Sequence, residues 1–154
     1  MKIIELLEPK SVLPDMIGST KLAVLEELAS TLVPGTEGLD LDTVVEVLME
    51  RERLGSTGIG DSVAIPHGKL ADISNLKLAF GRSLKGVNFD SVDGKLSHLF
   101  FLLLAPVNSA GLHLKALAKI SRMLMSASFR EDLMQAAQAQ DIYQLLAAKD
   151  EEFE

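Results

Sequence analysis

The sequence predicts an α/β (α+β) fold in which helices cover a central β-sheet. Apolar residues recur at helical spacing in the first and last thirds of the chain. The middle is instead built of strand-sized apolar runs broken by turn signals. The order helix, helix, several strands, then helices reads as a layered sandwich. At 154 residues, with no repeat and no linker longer than a turn, a single domain over residues 1–154 is expected.

The elements follow in chain order. Ser19 and Thr20 can cap a helix through "KLAVLEELASTL", with Leu22, Leu25, Ala29 and Leu32 on one face and Pro34-Gly35 as its stop. Asp40 or Asp42 can cap a second helix through "TVVEVLMERERL", which turns Val44, Val45, Leu48 and Met49 inward and ends at Gly55. "SVAIP", "LKLAFGR" and "LSHLFFLLLA" read as strands, with Val87 to Phe89 as a shorter piece. Asp93-Gly94 marks a turn before the longest strand. "LHLKALAKISRMLM", "FREDLMQAAQ" and "IYQLLAAK" are helical again, with Ser128 and Asp141 as cap candidates between them.

Composition narrows the chemistry. An apolar content of 47% supplies a core without disulfide or metal staples. The absence of cysteine removes thiolate nucleophiles, disulfides and cysteine-ligated metal, and fits a reducing compartment. Acids interrupt the N-terminal "MKIIELLEPKSVLPD", so no secretory leader is expected there. "LFFLLLA" is far short of the roughly 20 apolar residues of a membrane span. A net charge of -7, from 15 basic and 22 acidic residues, argues against a general nucleic-acid binder.

The glycine-rich tract tests nucleotide binding first. "GSTGIGDS" is one letter from a P-loop, but Asp61 stands where the phosphate-binding lysine belongs. It also follows a helix and precedes a strand, the reverse of the P-loop order, and it lacks the third glycine of a dinucleotide fingerprint. Metal binding is not expected either: His67, His98 and His113 are the three histidines, and none lies at a local chelating spacing. No G-x-S-x-G elbow presents a serine nucleophile.

His67 remains. It follows the apolar run Val63-Ala64-Ile65 and lies between Pro66 and Gly68, a presented position past a strand end. A neutral imidazole is nucleophilic near pH 7 and attacks through one nitrogen while the other donates its proton to a fixed acceptor. A phosphoryl group there needs cations and hydrogen-bond donors. Arg51 and Arg53 end the second helix, Ser56 and Thr57 bring hydroxyls, and His113 opens a later helix whose N-terminus favours anions. Each also has a structural reading: arginines suit a helix C-terminus, Ser56 and Thr57 suit a turn, and His113 can pack beside Leu117. His98, inside an apolar strand, reads as a structural residue.

The stretch "RERLGSTGIGDSVAIPHGKL", Arg51 to Leu70, resembles the active-site signature of enzyme IIA of the fructose/mannitol class in the bacterial phosphotransferase system. Within that class it is most similar to the nitrogen-related regulatory branch. The similarity extends through the N-terminal helix pair, "FDSVDGK", "FFLLLAPV" and "HLKALAKISRML". The resemblance implies a mixed sheet with helices on both faces and no metal, nucleotide or organic cofactor. It implies that His67 accepts a phosphoryl group on Nε2 from HPr or its nitrogen-branch counterpart. His113 matches the second active-site histidine, Arg51 the helix-end arginine, and Thr57 a hydroxyl near the phosphate; Arg53 and His98 have no such assignment. Ser62 departs from the pattern, which often has glycine there. An open, apolar-rimmed surface is expected around His67, with Ile59, Ile65 and Leu70 as candidate contributors.

Three outputs fit that reading. A regulator would bind target proteins according to its phosphorylation state. A sugar-transport IIA would pass phosphate to a separate IIB component. A IIA-like sensor module would be non-catalytic, though such modules usually adjoin DNA-binding helices, which are absent from this sequence, as are fused IIB, HPr and membrane domains. The expected compartment is the cytoplasm, without membrane insertion.

Overall fold

The computed structural model describes residues 1–153. A short 3-10 turn at Ile3–Leu6 leads into strand β1, Leu7–Leu13. Helices α1, Lys21–Ser30, and α2, Leu41–Arg53, follow. The middle of the chain forms β2, Gly58–Gly60, β3, Val63–Ala64, β4, His67–Leu70, β5, Lys77–Val87, and β6, Ser97–Pro106. Helices α3, Ala110–Met123, α4, Ala127–Gln135, and α5, Ala139–Glu152, complete the described fold.

The sheet is mixed, in the order β1-β5-β6-β3-β2, with β4 also paired to β6. β6 lies at its centre and is buried along nearly its whole length, which explains its continuous apolar sequence. Its side chains alternate between the two layers. Leu99, Phe101, Leu103 and Ala105 enter one core with Ala116 and Ile120 of α3, Phe129 and Leu133 of α4, and Ile142 and Leu146 of α5. Phe100, Leu102 and Leu104 enter the other with Val24, Leu25 and Leu28 of α1 and Val44 and Leu48 of α2. The sheet is thus flanked by helices on both faces.

The caps of α1 and α2 agree with the sequence: the Thr20 and Asp40 side chains accept from the N–H groups of Ala23 and Thr43. The later caps differ. Ser126, not Ser128, caps α4 through the N–H of Phe129. Asp141 lies inside α5 as the reciprocal partner of Gln138 in a capping box. Phe89 lies outside the strands, whereas Val87 ends an extended β5.

Two buried cations fasten the helical layer, Lys119 to the N-terminal turn through Asp150 and Arg82 to the sheet. The Lys119 ammonium on α3 lies 2.6 Å from the Asp150 carboxylate on α5, which also accepts the Ile4 N–H at 3.0 Å. Arg82 on β5 donates to the carbonyls of Leu133 and Pro14, at 3.0 and 2.9 Å. These bonds satisfy chain ends and helix-terminal carbonyls that would otherwise be buried without partners.

Candidate active site

β3 and β4 are two halves of one strand line. Val63 pairs with Leu99 and His67 with Leu103, so the register against β6 is the same on both sides of Ile65-Pro66. Pro66 supplies no N–H and interrupts the ladder, while its carbonyl still accepts the Leu103 N–H at 3.0 Å. His67 therefore opens β4, rather than lying beyond the strands as its sequence neighbours suggested. No described strand pairs with the other edge of β4.

The interruption turns the Ile65 peptide away from an ordinary ladder. Its N–H donates to the Thr57 carbonyl at 3.0 Å, and its carbonyl lies 2.8 Å from His67 Nδ1. A carbonyl can only accept, so Nδ1 carries the proton and Nε2 keeps the free lone pair. Burial lowers the pKa of His67 below its ordinary value of 6.5; the Ile65 hydrogen bond opposes this, Arg51 adds to it and Glu52 opposes it. At neutral pH the ring is a neutral nucleophile.

The strand's side-chain alternation puts Gly68 against α2. A Cβ there would lie 2.8 Å from Val47 Cγ1, so glycine permits the close approach of α2 to β4. That approach carries Arg51, in the last turn of α2, to the open strand edge. Its Nη1 donates to the Gly55 carbonyl at 2.9 Å.

His113 reaches the same edge from α3. Its ring stands edge-on to that of His67, with centroids 5.3 Å apart and planes at 89°. It is only 5% exposed, and its Nδ1 has no hydrogen-bond partner. Burial again lowers its basicity, with the His67 and Lys69 charges adding to the effect.

A cleft of about 460 Å³ lies over this edge. Val47, Glu50, Arg51 and Leu54 form its α2 wall, His67, Gly68 and Lys69 its floor, and His113, Leu114 and Leu117 its α3 wall. Positions 47, 50, 51 and 54 recur at helical spacing and make one stripe of α2. A neutral nucleophilic nitrogen, a guanidinium and a second imidazole meet in an open apolar-walled cleft. Such a set suits a transferring anionic group.

The structure thus brings His67, His113 and Arg51 together although they are far apart in sequence. Thr57 is not in the cleft wall. It is 4% exposed, and its hydroxyl donates to the Glu52 carboxylate, while its N–H reaches the same carboxylate at 3.2 Å. Arg53 is exposed and pairs with Glu50. Ile65 and Leu70 are buried in opposite cores and Ile59 is absent from the lining; the apolar walls are Val47, Leu54, Leu114 and Leu117. His98 also lies outside the cleft, beside Gly86.

Sequence reasoning missed Lys69 and Glu52. Lys69 lies two residues beyond His67, a spacing that returns to the same side of a strand. Glu52 is an acid in the last helical turn, where the macrodipole disfavours one, and that misfit was visible in the sequence. Ser62, with φ of 71° after Asp61 at 55°, occupies left-handed backbone, which accounts for the glycine often found there in the pattern it departs from.

Among the described residues no cluster of three or more His, Cys, Asp or Glu could hold a metal ion, and no helix is long and apolar enough to cross a membrane. The chain is 41% identical over 147 residues to a nitrogen regulatory protein of Bradyrhizobium diazoefficiens, covering 96% of this chain and 95% of that protein. It is 35% identical over 150 residues to the fructose-specific EIIABC component of a phosphotransferase system in Bacillus subtilis, covering 97% of this chain and 24% of that longer protein. The crystal structure of nitrogen regulatory protein IIA-Ntr from Neisseria meningitidis superposes with a TM-score of 0.88 at 38% identity, covering 94% of this chain and 98% of that one. Residues 5–149 match the family described as the phosphoenolpyruvate-dependent sugar phosphotransferase system, EIIA 2, and it is to this family of phosphotransferase components that the chain belongs.

Proposed function

We propose that the chain is a cytoplasmic phosphoryl carrier that accepts phosphate on Nε2 of His67 from a phosphohistidine of an HPr-type donor. The observation that carries this reading is the Nδ1 contact to the Ile65 carbonyl, which leaves Nε2 as the free nitrogen in an open cleft. In the transfer, the donor's P–N bond breaks as the His67 Nε2–P bond forms. The donor ring leaves neutral when its far nitrogen carries a proton, and His67 becomes the phosphoimidazolium in its turn. Arg51 stabilises charge on the equatorial oxygens, and His113 donates to them or steadies the His67 ring. Thr57 supports the site through Glu52 rather than by touching phosphate.

The output we favour is nitrogen-related regulation, through target proteins that distinguish the phosphorylated from the free form. End-to-end alignment with a protein named as a nitrogen regulator supports it. The second reading, onward transfer to a IIB component, draws on the 35% identity to a fructose-specific component.

The test is incubation with phosphoenolpyruvate, enzyme I and HPr-type carriers, followed by intact mass. One phosphoryl group is expected, lost in acid and kept in base, as a phosphoramidate behaves. His67→Ala should abolish it, and undiminished labelling of that variant would falsify the assignment. Adding a purified IIB and following loss of the label separates the two outputs.

A further inference from the structure

We infer that Glu52 is a positioning residue for the His67 imidazole, acting through a chain of hydrogen bonds that runs Glu52, Thr57, Ile65, His67. The inference rests on His67 being the nucleophile and adds a residue outside the cleft wall to its machinery.

Every link is present. The Glu52 carboxylate is 7% exposed and accepts the Thr57 N–H, the Thr57 hydroxyl and the Lys21 ammonium, the last at 3.0 Å. These bonds fix residue 57 in both side chain and backbone. The Thr57 carbonyl in turn accepts the Ile65 N–H, and the Ile65 carbonyl holds His67 Nδ1 at 2.8 Å. Pro66, the residue after Ile65, has no N–H to offer in place of this arrangement. The chain therefore selects the tautomer with Nε2 free and fixes the ring's direction.

A buried carboxylate at a helix C-terminus is unfavourable for α2 by itself. Lys21 offsets it from α1 while also lying 3.3 Å from Asp90. A purely structural clamp could be made from neutral groups. The negative charge has a further effect: Glu52 raises the basicity of His67, against the lowering by burial and Arg51. The charged and titratable groups around His67 are Glu50 and Arg51 in the α2 wall, Glu52 behind that wall, His113 from α3 and Lys69 on its own strand, with Glu50 paired to Arg53. Glu52 is the anion among them that acts on the ring's charge, and the phosphoryl acceptor must become cationic in the transfer.

The experiment uses Glu52→Gln, Thr57→Val and Thr57→Ser in the full chain. The imidazole nitrogen signals of His67 are read by NMR across pH, beside melting temperature and the rate of phosphoryl acceptance from HPr. Glutamine keeps the shape but cannot accept from all three donors. Valine removes only the hydroxyl, and serine restores it. We expect Glu52→Gln and Thr57→Val to mix the two ring tautomers and slow acceptance about tenfold, the lower end of what loss of an outer hydrogen-bond partner costs. Glu52→Gln should also lower the protonation midpoint of His67, and Thr57→Ser should return the wild-type tautomer. Lower melting temperatures with an unchanged tautomer and midpoint would reduce Glu52 to a fold-stabilising residue and overturn the inference. A shift in Glu52→Gln without one in Thr57→Val would equally overturn the chain. If Glu52→Gln does not fold, the Val and Ser pair decides. The ring signals are read on unphosphorylated protein, so failure of the chain is distinguishable from failure of the carrier reading.

Discussion

His113 stands edge-on to His67, ring centroids 5.3 Å apart, across the open edge of the sheet. Neither ring can take a proton as readily as a free histidine, chiefly because both are taken out of water. A proton on one also disfavours a proton on the other. Both rings are therefore uncharged at neutral pH.

This fixes the sign of a pH effect on stability. The unfolded chain protonates these histidines near 6.5, while the folded state resists protonation until lower pH. Between those limits the unfolded state binds more protons, so stability falls as pH falls. The contribution is complete above the unfolded value and is lost as pH drops below it towards the depressed folded values. Denaturant unfolding of wild type and His67→Ala at about pH 7 and pH 5 should show a smaller acid loss in the variant. An equal loss in both would contradict the depressed pKa. Phosphoryl acceptance should hold steady through the free-imidazole value of about 6.5 and decline only at lower pH, where protonation removes the Nε2 lone pair.

The second prediction concerns His113 itself. A histidine kept for packing would ordinarily have its buried nitrogens bonded, yet Nδ1 here has no partner. His113→Ala should consequently fold and still bind the donor, since no protein group loses a hydrogen bond to Nδ1. Phosphoryl transfer in both directions should fall on the order of a hundredfold, about 3 kcal/mol, if the ring is a transition-state donor. Wild-type rates with a lowered melting temperature would make His113 a packing residue instead.

Arg51 and Arg53 make a third, paired prediction. Arg51 lines the cleft and acts electrostatically on His67, whereas Arg53 is exposed and engaged with Glu50. Arg51→Ala should slow acceptance at least tenfold, since a guanidinium aimed at the phosphoryl oxygens is worth more than one charge-assisted hydrogen bond. Arg51→Lys should recover only part, because a point charge does not reproduce the planar fork. Arg53→Ala should leave the rate within twofold and stability within about 0.5 kcal/mol, as expected for an exposed pair. The reverse ranking in stopped-flow transfer assays would exchange the two assignments.

The helices and the two long strands were legible because each has one strong periodicity and a clear boundary. β1 was not. "LEPKSVL" contains a proline and buries only part of its length, as an edge strand with a single partner can. The convergence of His67, Arg51 and His113 could be expected from the family resemblance, but not from spacing, because it depends on α2 and α3 meeting across one strand edge. Thr57 shows the limit of a motif: its hydroxyl was expected near phosphate, and the fold turns it inward to Glu52. Residue identity at a position carried the loop but not the direction of the side chain.

The last prediction tests the one visible departure from the glycine-rich pattern. β2 and β3 form a tight antiparallel hairpin in which Gly60 pairs with Val63, leaving Asp61 and Ser62 as its two turn residues. Both have positive φ, 55° and 71°, as a type I′ turn requires. Left-handed backbone costs an ordinary L residue about 1–2 kcal/mol, and aspartate tolerates it better than serine does. The turn is worth preserving because the Ser62 carbonyl accepts the N–H groups of His98 and Leu99, at 2.8 and 3.0 Å, and so anchors the start of the strand line that carries His67. Neither bond uses the serine side chain. Ser62→Gly should therefore keep both bonds, relieve the strain and gain about 0.5–1 kcal/mol after glycine's greater unfolded-state entropy is subtracted. Ser62→Val should lose more than that, since a β-branched residue fits left-handed backbone least. Chemical denaturation of both variants checks the pair. A glycine variant less stable than wild type would show that the hydroxyl contributes to the turn more than the backbone strain takes away.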